Sequence, residues 1–322
     1  MKRMLVFLLT ALLLFGAIGC RSNAAVKPES DSLKIVTTIF PIYDWTKNVL
    51  GTNPSDADLS LLLSNGVDLH SFQPTVADIA SIAACDLFVY VGGTSDQWVE
   101  DALKQVSNPN RIVLNLMEVL GDAAKEEELM EGMEPETDEE EEEPEYDEHV
   151  WLSIQNAAAI TEAIANALTR LDPMQADGYR KNAADYLAKL NALDTAYRDA
   201  ADAAPVRTLV FGDRFPFRYL TDDYGISYYA AFLGCSAETE ASFETITFLA
   251  RKVDELGLHA VLQIETSDGR IAETIIKNTS TKNQKLLKLD SMQAVNAERI
   301  AAGETYLSIM EYNLAVLKDA LQ

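Results

Sequence analysis

From Leu33 onward, short apolar runs alternate with stretches whose apolar positions recur every three to four residues. The runs 33–38 (LKIVTT), 59–63, 87–91 (LFVYV) and 112–116 read as strands, and 42–50, 76–84 and 97–106 between them read as helices. The order strand, helix, strand, helix predicts a βαβα unit around a mostly parallel sheet. A second set follows, with strands at 208–211, 227–232, 260–264 and 286–289 and helices near 215–224, 242–256, 270–277 and 303–321. The pattern therefore predicts an α/β chain of two similar lobes, each a four-stranded, mostly parallel sheet with flanking helices. Between them, Tyr179, Ala183, Tyr186, Leu190, Leu193 and Tyr197 form one apolar stripe on an amphipathic helix within 173–203. At about 1.5 Å per residue such a helix is long enough to join the lobes as a strut. Periodicity alone serves equally well for a helix packed on one lobe.

The 322 residues, 48% hydrophobic, suffice for two domains with buried cores. Lys and Arg total 26 against 51 Asp and Glu, a formal charge of −25, which argues against nucleic acid and for cations as partners. Much of the excess is local, because sixteen acids lie between Asp122 and Glu148 against one lysine, Lys125. This insert, 122–148, has no apolar period and reads as a solvated loop that either solubilises the chain or concentrates divalent cations.

Residues 1–20 have a basic start, an apolar centre and small residues before Cys20, the layout of a secretory signal peptide. The stretch Ala17-Ile18-Gly19-Cys20 resembles a bacterial lipobox, which implies that Cys20 is lipidated and anchors the chain to the membrane outside the cytoplasm. Residues 21–32 read as a tether, 33–172 as the first lobe and 204–322 as the second. With Cys20 assigned to lipid, Cys85 and Cys235 are too few for a disulfide framework, and Cys85, opening a strand, reads as core.

Only three histidines are present. In open α/β sheets, ligands gather at the carboxyl ends of strands. His70 follows the second strand and His149 follows the first lobe's last strand and the insert, whereas His259 precedes a strand and reads as structural. In the second lobe Asp213, Cys235, Glu265 and Asp290 follow strands. A cleft between the lobes would be rimmed by imidazole, carboxylate and thiol, which are transition-metal ligands.

The stretches LKIVTTIFPIYDWTKNVLG, GVDLHSFQPTVADIASIAACDLFVYVGG, EHVWLSIQNAAAI, YRKNAADYLAKLNALDTAY, FRYLTDDYGI and ETYLSIMEYNLAVLKDAL resemble the cluster A-I substrate-binding lipoproteins that feed zinc or manganese to bacterial ABC importers. The resemblance covers essentially the whole mature chain. It implies two lobes joined by a rigid helix, a metal held between them, an ABC permease as partner and no enzymatic activity; the chain is expected to be a monomer. Carried over by position, His70, His149 and Asp290 are the implied ligands. The insert stands where zinc-binding relatives often carry a histidine-rich loop, and here it holds no histidine before His149.

The fourth position departs from the family. Arg214 stands where relatives have His or Glu, and a guanidinium has no lone pair to offer a cation. Asp213, Cys235 or water are the candidates to replace it. A carboxylate would suit manganese or zinc, and a thiolate favours zinc, the softer partner. An exported zinc hydrolase and a surface adhesin are the alternative functions; against the hydrolase, no HExxH helix is present.

Overall fold

The computed structural model describes residues 32–51, 57–105, 107–133, 145–236 and 240–322. Cys20, the signal segment, nearly all of the tether and the middle of the acidic insert lie outside the described residues. The first lobe runs β1 (Leu33–Thr37), α1 (Phe40–Leu50), β2 (Ala57–Leu61), α2 (Val76–Ala84), β3 (Leu87–Tyr90), α3 (Trp98–Lys104), β4 (Ile112–Asn115), a short α4 (Leu116–Leu120) and α5 (Ile154–Leu171). The long α6 (Ala176–Ala203) follows. The second lobe holds β5 (Thr208–Arg214), α7 (Arg218–Asp223), β6 (Ser227–Phe232), α8 (Phe243–Leu256), β7 (Ala260–Ile264), α9 (Arg270–Asn278), β8 (Lys285–Leu289), α10 (Ala297–Ala301) and α11 (Tyr306–Ala320).

The sheets have the orders β2-β1-β3-β4 and β6-β5-β7-β8, and every ladder in both is parallel. Parallel pairing needs a crossover between strands, which the intervening helices supply. Several element ends differ by a few residues from the sequence expectation, two of them for a local reason that the hydrogen bonds show. The apolar run at 59–63 outlasts β2: Leu62 and Leu63 still donate their N–H groups to Thr37 O and Thr38 O, but beyond the regular ladder. β5 reaches three residues past its apolar run through a register shift between Phe211 and Arg214. Gly212, within this stretch, lets α9 pack close against the strand, because a Cβ there would collide with Ala272.

The sequence left open whether the long helix packs on one lobe or both. It grips both. All six stripe residues are buried. Near its start, Asn182 donates to Val49 O and the Tyr186 hydroxyl donates to Asp44 Oδ2, both on α1. Near its end, the Tyr197 hydroxyl donates to Met310 O on α11 and Tyr224, beyond α7, donates to Asp194. One continuous apolar cluster runs from Ile35 and Trp45 through Leu190 to Phe211 and Leu262, so the core is shared between lobes and strut. Asp44 also accepts from Tyr306 N, joining α1 to the start of α11, and its burial raises its pKa. Among the described residues no helix is long and apolar enough to cross a membrane.

Candidate metal centre

The carboxyl ends of the two sheets face one another, and the loops leaving them carry the site. His70 sits in a single 3-10 turn, Leu69–Ser71, capped by Asp68, whose Oδ1 accepts from His70 N at 3.1 Å. His149 caps the turn Val150–Leu152 that leads into α5. Its ring is fully buried, whereas that of His70 is slightly exposed.

Their neighbours fix both rings. Asp147 Oδ1 accepts from His149 N and lies 2.8 Å from His149 Nδ1, which places the ring proton on Nδ1 and the lone pair on Nε2. Ser95 Oγ lies 2.7 Å from His70 Nδ1, and Glu148 Oε2 is 3.4 Å from the same nitrogen; the carboxylate favours a proton there, which again leaves Nε2 as the acceptor. The two Nε2 atoms face each other at 3.3 Å. Lone pairs aimed at one another at that distance repel unless a cation lies between them. An edge of a tetrahedral zinc site is about 3.3 Å for nitrogen ligands bound at roughly 2.0–2.1 Å. Cys235 completes the group: its sulfur and the two imidazoles each offer a donor atom, all within 4.8 Å of one another.

Electrostatics separates the two histidines. His70 is pulled down to about 4, first by burial, then by His149 and Arg214, against the opposing pull of Asp68 and Asp147. Burial also works against charge on His149, but Asp147, through its charge and hydrogen bond, with Glu148 and Glu127, outweighs it and raises the pKa. Burial, followed by the carboxylates of Glu127, Asp147 and Glu148, pushes the Cys235 thiol well above its ordinary value, so a metal must displace its proton.

The remaining expected residues sit elsewhere. Asp290 was expected as the carboxylate donor, but Arg299 Nη2 donates to its Oδ2 at 2.6 Å and Met292 N to its Oδ1 at 2.8 Å. It belongs with Glu265, Arg299 and Glu304 around a separate cavity of about 430 Å³. Asp213 lies within β5 rather than after it, and its oxygens accept from Arg214 N and Ile264 N. Neither is among the gathered donors. The Arg214 guanidinium reaches across the cleft to Asp68 Oδ2 at 3.4 Å and to Ser236 O. His259 lies 2.6 Å from Asp319 O, and Cys85 is buried with its thiol donating to Ile82 O.

The acidic insert is tied down at its base, although Asp122, Glu126 and Glu128 remain exposed. Glu127 N donates to Glu145 O and Asp147 N to Lys125 O, closing the base of the loop. The Tyr219 hydroxyl of the second lobe donates to Asp147 O and accepts from Lys125 N, pinning both strands of that base. Asp147 and Glu148 are only 2% exposed. They are buried because they hold the histidines and because Glu148 Oε1 accepts from Ser95 N at 2.7 Å. Gly93, at φ 82°, leaves room for that carboxylate, where a Cβ would strike it. Gln293, four residues past β8, was not anticipated. Ser291 Oγ, 2.9 Å from its Oε1, turns its Nε2 toward His149 Nε2 at 3.1 Å and Asp68 Oδ1 at 3.3 Å. A search for ionisable ligand types passes over a neutral amide.

A family model described as the periplasmic zinc-uptake complex component A, ZnuA, matches residues 35–320. The chain belongs to this family. The high-affinity zinc uptake system protein ZnuA of Bacillus subtilis is 30% identical over 316 residues, covering 95% of this chain and 94% of that protein. The zinc-binding lipoprotein AdcA of Streptococcus pneumoniae is 31% identical over 323 residues, or 99% of this chain, but the chain spans only 61% of its length. The crystal structure of the zinc-bound ZnuA-like domain of S. pneumoniae AdcA superposes with a TM-score of 0.70 at 29% identity, covering 90% of this chain and 99% of that domain. The two-lobed α/β architecture is that of this family.

Proposed function

We propose that this protein is an extracytoplasmic solute-binding protein which captures a divalent transition metal, zinc, between its lobes and hands it to an ABC permease. It acts as a monomer anchored to the cell membrane through a lipidated Cys20. The observation that carries this reading is the pair of imidazole Nε2 lone pairs facing each other at 3.3 Å, with both Nδ1 atoms engaged by polar partners, Ser95 and the buried Asp147, and the Cys235 sulfur beside them. Such partners orient metal-binding histidines and raise their basicity. Two nitrogens and a thiolate suit zinc better than manganese, which prefers oxygen. Relatives named for zinc uptake and zinc binding over nearly the whole chain support the same cargo. Binding and release without catalysis fit a donor group walled in by both lobes.

Metal-stripped protein titrated against a chromophoric zinc chelator should take up one zinc. Losing a group that only supports a ligand costs roughly 10–100-fold in metal affinity, so His70→Ala and His149→Ala should each cost more than about 100-fold. Cobalt-loaded protein should show a sulfur-to-metal charge-transfer band that Cys235→Ser abolishes. Full zinc affinity in either alanine variant refutes the site.

A further inference from the structure

The lobes meet on two flanks of the site, and the two are fastened differently. On one flank the loops beyond the edge strands β2 and β8 are stitched together through the backbone: Ala297 N donates to Ser64 O at 2.8 Å, and Asn65 pairs with Asn296 in an antiparallel bridge. On the other flank, beyond the opposite edge strands β4 and β6, runs the segment 125–133, the leading arm of the acidic insert. It leaves the first lobe after α4 and makes its contacts with α7, α8 and the loop after β6 in the second. Among the described residues no backbone-to-backbone bond ties this arm to the second lobe. Side chains hold it instead. Lys125 Nζ meets Asp222 Oδ2 at 2.5 Å, Glu128 Oε2 meets Arg218 Nη2 at 3.1 Å, and the Tyr219 hydroxyl accepts from Lys125 N. Gly132, at φ 88°, lets the arm lie against the Phe248 ring, where a Cβ would strike it, and Met133 beyond it is buried. Paired backbone loops separate only when their turns deform, whereas partly exposed ion pairs exchange for water at little cost. The flank closed by the arm is therefore the one that yields.

We propose, resting on the zinc-binding reading above, that segment 125–133 is a latch across the cleft and that the flank it closes is the route by which the metal enters and leaves. The latch sets the rates of capture and release rather than the strength of binding. None of Lys125, Glu128 and Gly132 is among the gathered donors, so loosening the arm hastens loading and unloading alike and leaves their ratio in place. The arm is also joined to the site itself. Glu127 Oε1 accepts from Cys235 N at 3.2 Å, so a displacement of the arm frees the loop that carries the sulfur donor.

The test follows zinc leaving the loaded full chain into excess chelator, at concentrations where the rate no longer depends on the chelator. Lys125→Met and Glu128→Gln each remove one ion pair of the arm but change the local charge in opposite directions. A latch predicts that both speed release, by roughly 1.5- to 5-fold apiece for pairs of this exposure. An influence through the electric field alone predicts opposite signs, with faster release without Glu128 and slower release without Lys125. Gly132→Ala lifts the arm off Phe248 with no change of charge and should also speed release. Competition titrations should place all three variants within about threefold of the parental affinity, because capture quickens with release. Asp185→Asn, which breaks a pair with Lys181 on the exposed face of the strut, should alter neither quantity. Opposite signs in the two charge variants, a parental release rate in any of the three, or a larger loss of affinity overturns the latch while leaving the zinc function standing. Absence of zinc binding by the parent protein overturns both.

Discussion

Asp147→Asn isolates the electrostatic support of a single ligand. Asp147 accepts from both the backbone and the ring of His149, each at 2.8 Å, inside a site where both residues are almost fully buried. Asparagine can still accept from Nδ1 through its carbonyl oxygen, but the negative charge is gone. Two consequences follow with opposite signs. The imidazole becomes a poorer donor, worth roughly 10–100-fold in zinc affinity, or about 1.4–2.7 kcal/mol. The proton competing with zinc at Nε2 also becomes weaker, because Asp147 supplies much of the upward shift of His149. That shift stabilises the metal-free fold below the ordinary histidine range and is lost as pH rises through the folded pKa, so zinc in the unaltered protein competes against a bound proton over a wider span of pH. The variant should therefore bind zinc 10–100-fold more weakly at pH 8, again by roughly the cost of a supporting group, and the gap should narrow as the pH falls toward 6. Zinc titrations in buffers of equal ionic strength across that range measure both parts. A gap that stays constant with pH, or equal affinities at pH 8, would refute the division of roles between Asp147 and His149.

Two further outcomes are expected. Cys20→Ala should move the protein from the membrane fraction to the soluble one while its metal-free melting curve stays unchanged, and persistent membrane association would remove the lipid anchor from the proposal. Tyr197→Phe removes the buried hydroxyl that donates to Met310 O at 2.7 Å and should cost about 1–3 kcal/mol in urea unfolding with zinc affinity little altered, since the hydroxyl lies on the strut and the carbonyl it leaves on α11, and neither residue is among the gathered donors.

Periodicity and residue type carried much of this in the sequence, and three-dimensional neighbours carried the rest. The stripe Tyr179 to Tyr197 was readable because a helix repeats its buried face every three to four residues, yet only the hydroxyl partners on α1 and α11 reveal that both lobes are held. His70 and His149 stood out because histidine is rare here and both follow strands. Asp147 and Glu148 were hidden inside a charge run whose average composition reads as solvated, and their burial follows from partners 53 and 72 residues away, Ser95 and Tyr219, as much as from the adjacent histidine. Asp68, which meets the Arg214 guanidinium across the cleft, was passed over because an acid two residues before a histidine looks like a turn cap, which it also is. Gln293 lies 144 residues from the ring it touches, and nothing local in its sequence marks it. Asp290 illustrates the converse: its place after a strand was read correctly, but Arg299, nine residues on, claims its carboxylate.

The strut clamped at both ends has a mechanical consequence. A rod of 28 residues, about 42 Å long, that is bolted to one plate near its start and to another near its end behaves as a leaf spring rather than a door hinge. The plates can tilt by small amounts and will spring back, but they cannot swing wide without tearing the buried tyrosines from their partners. Traffic of an ion through the gap is then governed by which side chains step aside, and unloading calls for an outside hand that flexes the spring.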